Sequence, residues 1–307
     1  MSFDPRQDRY IVKLPPAPDM RAIDDAGLGL WAPAKINLNL MVGPLGPDGF
    51  HPVDSIVAKV TLYDSIQLRR RSDGRVVLDC VGADCGPPEK NLVTRAAKLL
   101  ADGRDVCGAD IKLNKAIPPG AGLGGGSSDA AAALRGLNEL WSLGYDQTAL
   151  SELAAQLGSD VSLFLGPPAA RMTGRGERIE PLDVCDFTAV LVLTGLVCST
   201  AEVYGAYDRL GAAESEQIDT SLLSSGPPSA WRDMLHNDLA AAAMEVCPEL
   251  SELRDRVQSA VDPPVHVTGS GSALFMLFDE SEQAANTVAG LDADLQDMCA
   301  IVGVNPW

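Results

Sequence analysis

The 307-residue chain is poor in basic residues, in histidine and in paired cysteines, and each shortage closes off a class of function. Lys and Arg number 24 against 42 Asp and Glu, giving a formal net charge of -18. Nucleic acid and anionic membranes bind through clustered positive charge, so neither is expected as a partner. His51, His236 and His266 are the three histidines. They stand far apart with no ligands at metal spacing, so no side-chain metal site is expected. The seven cysteines are Cys80, Cys85, Cys107, Cys185, Cys198, Cys247 and Cys299. Their odd number and the lack of any Cys-x-x-Cys exclude a zinc ribbon and a disulfide framework, and reduced thiols in a cytoplasmic protein are expected. No apolar run reaches the roughly 18 residues of a membrane span. Residues 1–29 mix charges of both signs with prolines and lack the features of a signal or transit peptide. They read as an extension, partly extended along a surface or loosely ordered.

The most informative segment is Pro118-Pro119-Gly120-Ala121-Gly122-Leu123-Gly124-Gly125-Gly126-Ser127-Ser128-Asp129. Glycines let the backbone turn sharply and approach a ligand closely. The segment runs into a helix expected over Ser127 to Trp141, whose first turn offers unpaired N–H groups and the positive end of a dipole. Together these form an anion site, most often for phosphate. Ser127 or Ser128 can cap the helix or lend a hydroxyl to a phosphate or its metal. Gly120-x-Gly122-x-x-Gly125 fits the dinucleotide pattern, but Pro118-Pro119 separates it from the preceding strand, and Glu139 lies inside the helix. No Lys follows the glycines as a Walker loop requires, and His-Arg-Asp and Asp-Phe-Gly are both absent. The loop is a phosphate cradle of another type.

Strands and helices alternate along the chain. Period-2 apolar patterns predict strands over Leu30 to Val42, Ile56 to Arg69 and Ala109 to Asn114. Helical spacing predicts helices over Asn91 to Leu100 and from Asp146 to Leu157. Gly166-Pro167-Pro168 reads as a break. Beyond it, Phe187 to Thr194, Val265 to Val267, Ala273 to Phe278 and Met298 to Val302 read as strands. Thr200 to Leu210, Trp231 to Val246 and Ser281 to Leu291 read as helices, with a Ser/Pro/Gly-rich loop over Ser215 to Ser229. The pattern implies an α+β chain of two domains, 30–167 and 168–307.

The glycine segment resembles the central motif of the GHMP small-molecule kinases. Ala32-Pro33-Ala34-Lys35-Ile36-Asn37-Leu38 resembles that family's first motif and Thr268-Gly269-Ser270-Gly271-Ser272 its third. The resemblance implies an N-terminal domain like domain 2 of ribosomal protein S5 and a ferredoxin-like C-terminal domain. It implies ATP with Mg2+ and phosphates held by Pro118, Gly120, Gly122, Leu123, Gly124, Gly125, Gly126, Ser127 and Ser128. Lys115, just before the glycine loop, is close enough in sequence to reach the nucleotide, or is a solvated lysine at a strand end. Asp48-Gly49-Phe50-His51 and Leu157-Gly158-Ser159-Asp160-Val161 resemble the branch whose acceptor is 4-diphosphocytidyl-2-C-methyl-D-erythritol.

By itself, Asp160 is either a general base or the cap of the short helix that follows, and Lys35 either reaches the surface or pairs with a carboxylate. The resemblance implies the catalytic reading of both. Asn37 shares a strand face with Lys35 and can bond the acceptor. The resemblance also places Phe50, His51, Thr200 and Tyr204 at the acceptor. His51 would read cytosine through one donor and one acceptor, and Phe50 and Tyr204 would stack on its two faces. The run Gly43-Pro44-Leu45-Gly46-Pro47 departs from the Gly-Arg and charged residues common before this motif. Two alternatives remain: another GHMP kinase acting on mevalonate, homoserine or a sugar, and a nucleotide-binding regulator that has lost catalysis.

Overall fold

The structure, a computed structural model, describes residues 20–24, 27–83, 85–211 and 220–305. Two sheets organise it. The first contains β1 (Met20–Asp24), β2 (Gly27–Val42), β3 (Val53–Arg71), β4 (Val76–Gly82) and β5 (Gly108–Lys115), in the order β1-β2-β3-β5-β4. β4 and β5 run parallel, joined by helix α1 (Leu92–Ala101). Asn91 caps α1, its side chain accepting the Val93 N–H at 2.9 Å.

β2 carries the logic of the site. Lys35 and Asn37 alternate with Ala34 and Ile36, so the two pairs point to opposite faces of the sheet, and a register shift between Asn37 and Asn39 ends this alternation. Ala34, Ile36 and Leu38 pack in one buried cluster with Phe275, Leu277 and Val302 of the second sheet. Lys35 and Asn37 line a cleft on the other face.

Helix α2 (Gly125–Leu140) follows the glycine segment. Its Ala130 to Ala133 stretch favours helix and, with Leu134 and Leu137, is buried against the sheet and α1. Gly124 takes the N-cap position in the left-handed region (φ 71°) and no side chain caps the helix. The expected serine cap is therefore corrected. The glycines themselves begin the helix, which leaves Ser127 and Ser128 inside it. Helices α3 (Gln147–Leu157) and α4 (Val161–Leu165) complete this layer. The chain then turns at Gly166-Pro167-Pro168 and adds β6 (Ala169–Gly174) to β3, and β7 (Arg178–Pro181) to β6, so the first sheet extends past the prolines.

The second sheet is antiparallel, built from β8 (Thr188–Val192), β9 (His266–Val267), β10 (Leu274–Phe278) and β11 (Cys299–Gly303) in the order β11-β8-β10-β9. Between β8 and β9 lie α5 (Thr200–Leu210), α6 (Thr220–Ser225), α7 (Ala240–Val246) and α8 (Pro248–Ala260). α9 (Ser281–Gly290) and α10 (Ala293–Asp297) connect β10 to β11. Strand order 4-1-3-2 with helical crossovers is the ferredoxin-like arrangement.

Several expectations are corrected. The predicted helix over Trp231 to Val246 is broken, because His236 to Asp238 pair with β2 instead. The Leu40 N–H donates to the His236 carbonyl at 2.9 Å, the Asp238 N–H to the Leu40 carbonyl at 2.9 Å, and the Val42 N–H to Asp238 Oδ2 at 2.7 Å. Asp238 thus secures the end of β2 rather than capping α7. Cys80 and Cys85 are joined in a disulfide, against the expectation of reduced thiols throughout. Part of the N-terminal extension is an edge strand, β1, paired with β2, while residues 1–19 lie outside those described. Of the expected loop over Ser215 to Ser229, residues 215–219 also lie outside, and Thr220–Ser225 is helical. No helix of the described residues is long and apolar enough to cross a membrane.

The approach of α2 to the sheet depends on Gly136, where an added Cβ would lie 2.5 Å from Leu68 Cδ1 and 2.7 Å from Leu30 Cδ1. Gly136→Leu should destabilise the protein by about 1–3 kcal/mol through overpacking. A urea midpoint equal to that of the unsubstituted protein would contradict this packing.

Candidate functional site

The glycine segment, the polar face of β2, the start of α4, the Thr268-to-Ser272 loop and α5 enclose a cleft of about 1080 Å³. Gly120, Gly122 and Gly124 all have φ near +70°, a region costly for side-chain-bearing residues. At Gly122 a Cβ would strike the Thr268 carbonyl, because the two glycine loops pack backbone to backbone. The Ala273 N–H donating to the Ala121 carbonyl at 3.0 Å ties them together. The first N–H groups of α2 open into the cleft, and no acidic side chain lies in its first turn to repel an anion. Pro118, Gly120, Gly122, Leu123, Gly124, Gly125, Gly126 and Ser127 all line the cleft. Ser128 does not. It is 1% exposed, and its hydroxyl has no partner among the described residues.

Lys35 stands at the centre. Its Nζ donates to Asn37 Oδ1 at 2.5 Å and to the Gly122 carbonyl at 2.6 Å. Burial pushes its pKa down, and the negative charge of Asp160 opposes that shift. Asp160 occupies the N-cap position of α4 but makes no capping hydrogen bond, leaving its carboxylate directed to the cleft it lines. Its charge also reaches Tyr204, whose hydroxyl is pushed up to about 12 by burial and then by Asp160. Asn37 Nδ2 donates to Ser55 Oγ at 2.7 Å and its Oδ1 accepts from Lys35, and the residue lines the cleft. It also orients the lysine within that cleft.

Lys115 also lines the cleft. Its Nζ sits between Asp64 and Asp129, 2.7 Å from Asp129 Oδ2, with its side chain 5% exposed. Burial lowers its pKa, but Asp129 and Asp64 outweigh this and hold it raised. Asp64 Oδ1 accepts the N–H groups of Ala116 and Ile117 at 2.6 and 2.8 Å. This clamp fixes the chain where β5 enters the glycine loop. Burial, opposed by Lys115 and reinforced by Asp64, pushes the Asp129 carboxyl up to about 7. Asp129 Oδ1 has no partner among the described residues, and Asp129 lines the cleft.

At the far end, Phe50, His51, Thr200 and Tyr204 line the cleft together. His51 Nδ1 donates to the Gly43 carbonyl at 2.8 Å, while Nε2 lies 3.2 Å from Asp208 Oδ1. Tyr204 stacks on the His51 ring at 5.4 Å between centroids. Phe50, 55% exposed, carries the Arg175 guanidinium over its ring at 4.3 Å. Thr200 Oγ1 bonds Ser270 Oγ at 2.9 Å, joining α5 to the third glycine loop. Asp64, Asp129, Arg175 and Asp208 escape a sequence reading, since each acts on a residue far away in the chain. No cluster of three or more metal-ligating side chains occurs among the described residues.

Residues 91–166 match the GHMP kinases N terminal domain and residues 220–296 the GHMP kinases C terminal family. The 4-diphosphocytidyl-2-C-methyl-D-erythritol kinase of Pelotomaculum thermopropionicum is 40% identical over 262 residues, covering 84% of this chain and 91% of the relative. That of Thermobifida fusca is 39% identical over 278 residues, covering 85% and 90%. A solved 4-(cytidine 5'-diphospho)-2C-methyl-D-erythritol kinase superposes with a TM-score of 0.72 at 34% identity, covering 90% of this chain and 98% of the other.

A Cβ at Gly125 would meet Ile117 Cγ2 at 2.8 Å and Lys115 Nζ at 3.1 Å. The constraint there is the protein interior, and a side chain would push the start of α2 off the clamp. Gly125→Val should leave the protein folded and weaken ATP binding by about tenfold or more, through misplaced amide donors to charged phosphate. An unchanged calorimetric ATP affinity would place the phosphates elsewhere.

Proposed function

Because the chain belongs to the 4-diphosphocytidyl-2-C-methyl-D-erythritol kinase family, we propose that it transfers the γ-phosphoryl group of ATP to the 2-hydroxyl of 4-diphosphocytidyl-2-C-methyl-D-erythritol, in the cytoplasm and in the non-mevalonate route to isoprenoid precursors. The observation that carries the reading is the convergence of Lys35 and Asp160 on one cleft, with the glycine loop at one end and His51 and Tyr204 at the other.

Phosphoryl transfer needs held phosphates, neutralised charge and an oriented acceptor. The left-handed glycines and the first amides of α2 hold the phosphate chain. Asp160 accepts the proton of the acceptor hydroxyl as general base. Lys35 steadies the alkoxide as it develops, in a buried setting where such a charge acts strongly. The donor set fits Mg2+ bound in the usual nucleotide manner, through one or two carboxylates plus phosphate oxygens. Asp129, which lines the cleft and has a buried oxygen without a partner among the described residues, is the residue that would hold it. When bound, the metal ion neutralises phosphate charge.

Cytosine recognition falls to His51, Tyr204 and Phe50. The Gly43 carbonyl fixes Nδ1 of His51 as a donor, which leaves Nε2 for the base once Asp208 yields it. A site built on polar recognition discriminates strongly against acceptors lacking the matching groups.

With ATP-Mg, the enzyme should phosphorylate the cytidine diphosphate conjugate and leave free methylerythritol phosphate, mevalonate and homoserine essentially untouched. His51→Ala should lower kcat/KM for the conjugate by about 1–3 kcal/mol, the range for lost buried hydrogen bonds, with the KM for ATP nearly unmoved. Efficient turnover of mevalonate or homoserine would defeat the cytidine reading. Conjugate kinetics indifferent to His51→Ala would defeat it equally.

A further inference from the structure

The turn between β6 and β7 carries Arg175, a cation with no part in the steps above. It lines the same cleft. Its guanidinium lies 4.3 Å over the Phe50 ring and pairs with Asp48, and its side chain is half exposed. The next residue, Gly176, approaches Ser159 so closely that a Cβ there would sit 3.3 Å from Ser159 Cβ. Ser159 directly precedes Asp160. The turn therefore bridges the two ends of the acceptor's path, with Phe50 on one side and the approach to the general base on the other.

Among the described residues, the cations lining the cleft are Lys35, Lys90, Lys115 and Arg175. Lys35 is committed to Asn37 and Gly122, and Lys115 to two carboxylates. Lys90 lies beside Asn91 at the start of α1. That leaves Arg175 at the end where Phe50 and His51 lie. On the reading proposed above, the acceptor places a diphosphate between its cytosine and the hydroxyl to be phosphorylated. Such a group must be bound in a chain with a formal net charge of -18. A guanidinium presents a planar fork of donors that matches phosphate oxygens two at a time.

We propose that Arg175 binds the acceptor's diphosphate and is a specificity-determining residue of the enzyme. In the structure the side chain rests on Phe50 and Asp48. A cytosine stacking on Phe50 takes that place and turns the guanidinium onto the phosphates.

The test is calorimetric binding of cytidine and of CDP to the full-length enzyme and to Arg175→Gln and Arg175→Lys. The unsubstituted enzyme should bind CDP more tightly than cytidine by roughly tenfold to hundredfold, the range for a charge-assisted contact. Arg175→Gln should shrink that ratio to less than about threefold, and Arg175→Lys should fall between. Cytidine itself should bind Arg175→Gln no more weakly than the unsubstituted enzyme, since the base no longer competes with the guanidinium for Phe50. A general loss of structure would weaken both ligands. Normal turnover of the conjugate with an unchanged CDP-to-cytidine ratio in Arg175→Gln overturns the proposal alone. An unsubstituted enzyme that neither binds CDP nor phosphorylates the conjugate overturns the cytidine reading and the proposal with it.

Discussion

A buried ammonium group organises this protein's cleft. Lys35 is 5% exposed, and a charge so placed is costly unless it is paired and hydrogen-bonded. Its partners come from three of the segments that form the site. Asn37 is its neighbour two residues along β2, the Gly122 carbonyl belongs to the first glycine loop, and the Asp160 charge lies at the start of α4. Gly269 of the third loop closes over Nζ, where a Cβ would be only 3.2 Å away. Satisfying one charge thus brings together the segments that phosphoryl transfer requires, and the two domains meet around it.

A second buried lysine does the complementary task. Lys115, gripped by Asp64 and Asp129, fixes both the exit from β5 and the beginning of α2. The glycine loop between them has the backbone freedom to approach phosphate, and the clamp at its base limits where that freedom is used. The two lysines divide the work: one stands at the centre of the cleft, and the other holds the scaffold at the base of the glycine loop.

Local patterns were legible in the sequence. Alternation along β2 placed Lys35 and Asn37 on one face, Asn91 and Asp146 marked helix starts through their caps, and the glycine run marked the turn into α2. The resemblance of three motifs carried the family, and with it Asp160. Contacts between distant segments were not legible. Nothing near Asp64 in the chain reveals that it holds Lys115, and nothing near Arg175 reveals Phe50. The break after Trp231 was equally hidden, because tertiary pairing of His236 to Asp238 with β2 overrode a helical pattern. β4 escaped notice because it is a mostly exposed edge strand without a clean apolar period. The serines after the glycines misled for a simple reason: a helix with a glycine start needs no serine cap.

The central claim is that Asp160, facing buried Lys35, removes the acceptor's proton. It is tested most directly by the turnover of Asp160→Asn, measured alongside calorimetric ATP binding. The account predicts kcat lower by roughly 10²–10⁴, the range for losing a general base, with ATP affinity retained. A kcat within about threefold of the unsubstituted enzyme would contradict it and return Asp160 to a structural place at the head of α4.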